Sequence, residues 1–267
     1  MKVLVTGAAS GLGAALTQRF TDRGDDVLAT DLQTGLDRLD RPGQRLRLDV
    51  TSDEDWAAAR DWVAEHWGGL DVLVNNAGVA GGGRVELCTL EEWSRLVETN
   101  LYGTVRGVRT FTPMLKAQGS GRIVNVASLA GLVHPPGMGS YNAVKAAVVA
   151  FSETLSHELA PYGVACSVVC PSYFRTNLVD TMQGSDADVA AKVAEMVRSS
   201  SLTADDIAQA VLEGIDQGVE LIIPDEPART AYRLKHTVRA AYDAEMRRTA
   251  QRMAERMAQR TKEQAGG

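Results

Sequence analysis

The sequence predicts an α/β protein: a doubly wound, mostly parallel sheet with helices on both faces. Three observations carry this. Short apolar runs alternate with longer helical patterns up to about residue 225. Short apolar strands separated by helices make βαβ units, whose sheets are parallel and buried on both sides. Crossovers of this length are right-handed, which winds the helices onto both faces.

The elements follow in order. Lys2 to Val5 reads as a strand and Leu12 to Arg23 as a helix. Asp26 to Thr30 and Arg45 to Leu48 are the next strands. Asp53 to His66 is a helix with Ser52 as its N-cap, and Gly68-Gly69 announces the strand Val72 to Val74. Leu90 to Gln118 is one long helical stretch, interrupted by Asn100. Arg122 to Val126 is a strand, Tyr141 to Leu159 a helix, and Ala165 to Val169 and Glu220 to Ile223 are the last strands. Residues 1–225 are read as one domain holding both sites, and 226–267 as a helical extension.

Composition narrows the function classes. The 267 residues are 45% apolar, enough for a sizeable core, and the net charge of −6 argues against nucleic acid as a partner. The first apolar run, Val3 to Val5, is too short for a secretory leader, and no run approaches the length of a membrane span. Cys88, Cys166 and Cys170 lack metal or disulfide spacing, which fits a reducing cytoplasm and predicts no metal site. The extension differs from the rest. It holds ten basic and five acidic residues, Arg260, Lys262 and Glu263 among them, a net +5 against −11 for the preceding chain. Val238, Tyr242, Met246, Ala250, Met253 and Met257 fall on one helical face. A basic helix is drawn to an acidic surface, so the stripe is expected to dock on the body or on a neighbouring subunit and to assist oligomerisation. Contact with an anionic membrane is the alternative.

Thr6-Gly7-Ala8-Ala9-Ser10-Gly11-Leu12-Gly13 occupies the first strand-to-helix turn. Glycine lets backbone approach a pyrophosphate, and the helix start offers free N–H groups and a positive dipole end. Gly7, Ser10, Gly11, Leu12 and Gly13 are therefore cofactor candidates. Asp31 ends the second strand, where a carboxylate accepts from the ribose hydroxyls of NAD and repels a 2′-phosphate. No Arg or Lys at Ala8, Ala9, Ser10, Leu32 or Gln33 offsets it, so the sequence favours NAD over NADP.

Tyr141 and Lys145 lie four apart on one helical face, where an ammonium is expected to lower the phenol's pKa toward a usable base. The pair alone is common. Its context is not: Ser128 follows a strand end, in position to donate to a substrate oxygen, and Asn75-Asn76-Ala77-Gly78 follows another.

Taken jointly, Thr6-Gly7-x-x-x-Gly11-x-Gly13, Asp49, Asn75-Asn76-Ala77-Gly78, Asn100, Ser128 and Tyr141-x-x-x-Lys145 resemble the single-domain short-chain dehydrogenases/reductases over about residues 1–225. The resemblance implies a seven-stranded Rossmann-type sheet. It implies Tyr141 as general acid/base, Lys145 as its electrostatic partner and ribose ligand, Ser128 as the substrate-orienting hydroxyl, and Asn100 as holder of a relay water. It implies adenine contact at Asp49 beside Val50, a sheet-stabilising Asn76 within Asn76-Ala77-Gly78, and a nicotinamide-side loop from Pro171 to Thr176. Ser172 departs from the family's frequent Pro-Gly there.

The function expected is NAD(H)-dependent interconversion of a secondary alcohol and a ketone, by a homodimer or homotetramer. Substrate walls are assigned to Leu132, Val133, His134, Met138, Tyr173, Phe174 and Leu178, mostly apolar, so a lipophilic or aromatic small molecule is expected. Residues 177–200 have the length of a substrate lid. Two other readings stand beside it: a non-catalytic nucleotide-binding regulator, against which the complete Asn100, Ser128, Tyr141 and Lys145 set argues, and a membrane-surface lipid-modifying dehydrogenase.

Overall fold

A computed structural model describes residues 1–37, 43–182 and 184–265, side chains of 260–265 excepted. Arg260, Lys262 and Glu263 of the extension's charge balance therefore lie outside the described side chains. The strands are β1 (Lys2–Thr6), β2 (Asp26–Asp31), β3 (Gln44–Arg47), β4 (Val72–Asn75), β5 (Gly121–Val126), β6 (Val164–Val169) and β7 (Leu221–Ile222). They form one seven-stranded sheet in the order β3-β2-β1-β4-β5-β6-β7, with every pairing parallel. The order reverses between β1 and β4, and a crevice opens at such a switch point beyond the strands' carboxyl ends.

The helices are α1 (Gly11–Asp22), α2 (Gln33–Leu36), α3 (Asp53–Trp67), α4 (Leu90–Leu96), α5 (Gly103–Gln118), α6 (Ala130–Val133), α7 (Gly139–Leu159), α8 (Ala187–Ser199), α9 (Ala204–Asp216), α10 (Glu226–Thr237) and α11 (Arg239–Ala265). Alternation along the strands divides the core. Val3 and Val5 of β1 pack with Leu16 and Phe20 of α1 and Ile207 and Val211 of α9. Leu4 between them faces the other way, with Trp56 of α3, Phe111 of α5 and Leu159 of α7. Each fully buried side chain of this size contributes about 1.5–3 kcal/mol, so both helical layers are held by the same strands.

Ser52 caps α3 as expected, its hydroxyl accepting from Asp55 N–H. The long helical stretch is not one α-helix. Between α4 and α5, Val97–Tyr102 widens into a π-turn that contains Asn100. Such bulges insert a residue and re-aim a side chain, and they occur often at functional sites. Here the turn buries Asn100, whose amide donates to Val79 C=O at 3.0 Å and accepts from Val79 N–H at 2.8 Å.

The extension packs on its own body. Asp225 caps α10 through Ala228 N–H at 2.8 Å. Tyr242 of α11 is buried, and its hydroxyl donates to Val133 C=O at 2.6 Å. Met246 and Met253 pack into body clusters. Only Val238 and Ala250 of the apolar stripe are exposed. Of the two docking surfaces expected for the stripe, the body of the same chain receives Tyr242, Met246 and Met253.

Candidate active site

The first turn is shaped by glycines. Gly7 (φ +65°) and Gly11 (φ +53°) adopt left-handed backbone that other residues adopt at a cost. A Cβ on Gly13 would sit 2.1 Å from Gly7 C=O and 2.4 Å from Asn76 Nδ2. Gly13 does not border the cavity, so its place is at the helix–strand contact beneath the turn. Thr6 ties β1 to β4: its hydroxyl accepts the N–H groups of Asn76 and Ala77, both at 3.0 Å. Asn76 returns its amide to Thr6 C=O at 2.9 Å and Gly7 C=O at 3.3 Å. Asp31 closes the turn from β2, accepting from Ala9 N–H at 2.9 Å and Leu32 N–H at 2.8 Å.

A cavity of about 1000 Å³ runs along the strand ends. Gly7, Ser10, Gly11 and Leu12 border it at the first turn, and Asp31, Asp49 and Val50 at the ends of β2 and β3. Asn76, Ala77 and Gly78 border it beyond β4, and Pro171 and Thr176 beyond β6. Among the described residues no cation borders it near Asp31. Burial opposes ionisation of Asp49, yet hydrogen bonds from Thr51 and the charges of Arg47 and Arg106 together outweigh it and hold the carboxyl below its usual range. The cradle fits a dinucleotide: glycines leave room for phosphates at a helix start, and an acid stands at the second strand end.

Ser128, Tyr141 and Lys145 border the same cavity. Ser128 follows β5 and accepts from Ala130 N–H at 3.1 Å, which fixes its rotamer. Lys145 is buried and donates to Val126 C=O at 2.9 Å, with its ammonium 5.8 Å from the Tyr141 ring centroid. Asn100 is not among the lining residues.

The profile of the family described as short chain dehydrogenase matches residues 1–186. The chain belongs to that family. A relative from Xanthobacter autotrophicus, 2-(R)-hydroxypropyl-CoM dehydrogenase, is 36% identical over 187 residues, covering 65% of this chain and 74% of that one. A short chain dehydrogenase/reductase from Burkholderia phymatum, solved in complex with NAD, superposes with TM-score 0.81 at 31% identity, over 88% of this chain and 92% of that one. A short chain dehydrogenase from Burkholderia cenocepacia, solved in complex with NADP, reaches TM-score 0.79 at 27% identity, over 92% and 96% of the two chains. This short-chain dehydrogenase is an oxidoreductase whose fold neighbours bind NAD or NADP.

Electrostatics in the dehydrogenase depart from the expectation that Lys145 lowers the Tyr141 pKa. Burial pushes the phenol up to about 12, and the Ser128 hydrogen bond opposes this only in part. Burial also pushes the Lys145 ammonium down to about 8. Desolvation outweighs attraction because both groups leave water together. Tyr141 is therefore held protonated, as a donor.

On the substrate side, Met138, Tyr173, Phe174 and Leu178 border the cavity, and the Tyr173 hydroxyl donates to Met138 Sδ at 3.5 Å. His134 and Leu132 do not border it, which corrects their assignment. His134 (φ +55°) ends α6 in a left-handed conformation that turns its ring toward the extension. Its Nε2–H donates to Gly131 C=O, and its Nδ1 accepts from Lys235 Nζ at 2.8 Å. Lys235 also donates to Leu132 C=O. Burial first, then the Lys235 charge, lower the His134 pKa. The folded state thus resists a proton that the unfolded chain accepts, so stability from this latch is present above the ordinary imidazole value near 6.5 and is lost as pH falls below it. Hydrogen exchange in α10 and α11 should speed up between pH 7.5 and 5.5, and His134→Gln should flatten the change. Exchange that is equally slow at both pH values would refute the latch.

Several lining residues were not assigned to the site from the sequence, although the apolar stripe and the 177–200 segment contain them. Val189 and Val193 of α8 and Tyr242, Met246 and Met253 of α11 border the cavity. Ser172 explains its own departure from Pro-Gly: its N–H and hydroxyl donate to Asp225 at 2.9 and 2.6 Å. The loop after β6 is thereby fixed to the cap of α10.

Proposed function

We propose that this enzyme transfers hydride between NAD(H) and a lipophilic secondary alcohol or its ketone, with Tyr141 as general acid/base. One observation carries the reading: Tyr141, Ser128 and Lys145 border the same cavity as an Asp31-ended glycine turn. A bound nicotinamide supplies the hydride donor or acceptor. Gly7, Ser10, Gly11 and Leu12 would hold its phosphates, and Asp31 its adenosine ribose. Ser128 orients the substrate oxygen. In reduction Tyr141 would donate its proton to that oxygen; in oxidation the phenol would first have to give up its own proton, and the resulting phenolate would take the one from the substrate hydroxyl. Lys145 keeps a positive charge beside the phenol and binds the second ribose. Asn100, through Val79, positions the backbone beyond Gly78. Apolar side chains from α8 and α11 exclude water around the reacting carbon.

The test is a screen of ketones with NADH or NADPH, and of alcohols with NAD+. The wild-type enzyme should prefer NADH. Asp31→Ala combined with Leu32→Arg should move the NADH:NADPH ratio of kcat/KM by about 100-fold, the scale of a lost charged hydrogen bond and a relieved repulsion. A wild-type preference for NADPH would sink the assignment.

A further inference from the structure

The charged residues that border the cavity are sorted by sign. Among the described residues its two acids, Asp31 and Asp49, stand at the ends of β2 and β3. On the Tyr141 side no acid among the described residues borders it, and Lys192 of α8 with Arg252 and Arg256 of α11 do. Those two helices converge there: a Cβ on Gly137 would lie 2.8 Å from Met253 Cε and 3.3 Å from Val189 Cγ2. Met253 and Val189 belong to the apolar cluster that contains Tyr141. An apolar passage thus leads from the phenol to a cationic rim.

The rim is only partly neutralised. Lys192 pairs with Glu195 at 2.8 Å, and Arg252 with Glu245 at 2.8 Å. Among the described residues Arg256 makes no hydrogen bond or ion pair, and its charge acts on Glu195 from a distance. The side chains of Arg252 and Lys192 are about half exposed, 52% and 47%. They retain the donors and the hydration that a rim needs in order to capture an anion entering from water.

We infer that α11 is the distal half of the substrate site, and that the substrate is an alcohol or ketone bearing an anionic group, of carboxylate, sulfonate or phosphate type, at the far end of an apolar spacer. Met246 and Met253 cover the spacer, and Arg252 and Arg256, with Lys192 opposite, hold the anion. This rests on the reading above, in which Tyr141 marks the reacting end.

The probes are two medium-chain methyl ketones of equal length, one ending in a carboxylate and the other in its methyl ester. Calorimetric binding to the full chain is measured first, and turnover with NADH second. The carboxylate should bind about tenfold more tightly at low salt, and the preference should shrink as salt screens the rim. Arg252→Gln with Arg256→Gln should bring the two affinities to within about twofold, and Arg256→Lys should keep part of the preference. Both side chains are exposed, so the fold should persist, which circular dichroism checks. Equal binding of the two ketones, no binding of the carboxylate, or a preference that survives the double variant would overturn the inference. Charge-selective binding without turnover of either ketone would instead overturn the proposed reaction and uphold this one. A phosphate-ended ketone in the same series decides which anion the rim prefers.

Discussion

Tyr141→Phe should lower kcat/KM for ketone reduction by about two to four orders of magnitude and leave NADH affinity within a few fold. That is the scale of a lost general acid. The side chain is buried, with 8% exposure, and phenylalanine fills the same space, so stability should hardly change. The acid is well placed for reduction because burial keeps the phenol protonated, near 12. The pH profile should separate its contribution from that of Lys145. Reduction needs a charged lysine and a protonated tyrosine, and both are lost as pH rises. The lower of the two values, about 8 for Lys145, therefore sets the alkaline limb of kcat/KM. A flat profile from pH 6 to 10 would contradict the role given to Lys145. Retained reduction in Tyr141→Phe would contradict the mechanism.

Gly13→Ala should cost more than its single methyl group suggests. The added carbon would meet Gly7 C=O at 2.1 Å and the Asn76 amide at 2.4 Å, and neither can retreat. Asn76 is held by two carbonyls, and Gly7 is the phosphate turn itself. Overpacking of this kind costs about 1–3 kcal/mol. The displaced turn should also weaken NADH binding by at least about tenfold. Gly24→Ala is the control. It shares a positive φ, +88°, but a Cβ there meets nothing within 4 Å, so it should cost only backbone strain of about 1 kcal/mol. NADH titration together with thermal melts would distinguish the two. Equal effects on NADH affinity would show that the close contact at Gly13 is immaterial.

The sheet was legible because its signals are local. Seven apolar runs became seven strands, each with one end displaced by a single residue and the edge strands β3 and β7 with both. The glycine turn, Asp31, Ser128 and the Tyr141–Lys145 pair were legible because strand ends and helical spacing fix where such side chains stand. Asn100 was visible as an interruption, but not as a π-turn, since the widened hydrogen bonding leaves no compositional mark. What the sequence hid depends on contacts between distant segments. His134 sits in the expected loop, yet Lys235, 101 residues later, turns it away from the cavity. The sign of the Tyr141 shift was hidden too, because it depends on how completely α7 and its neighbours exclude water. The extension's stripe was readable as an apolar face; that its partner would be the cavity of the same chain was not.

The match to the family ends at residue 186, one position before α8 begins. Beyond it lie α8 and α11, which border the cavity on its Tyr141 side. The cavity wall is thus drawn from both sides of that limit, with Met138, Tyr173, Phe174 and Leu178 before it and Val189, Val193, Tyr242, Met246 and Met253 after it. Exchange of the later stretch would change its share of the wall and leave Ser128, Tyr141 and Lys145 in place. During synthesis Ser128, Tyr141 and Lys145 emerge before α8 and α11, so they are made before that part of the cavity wall.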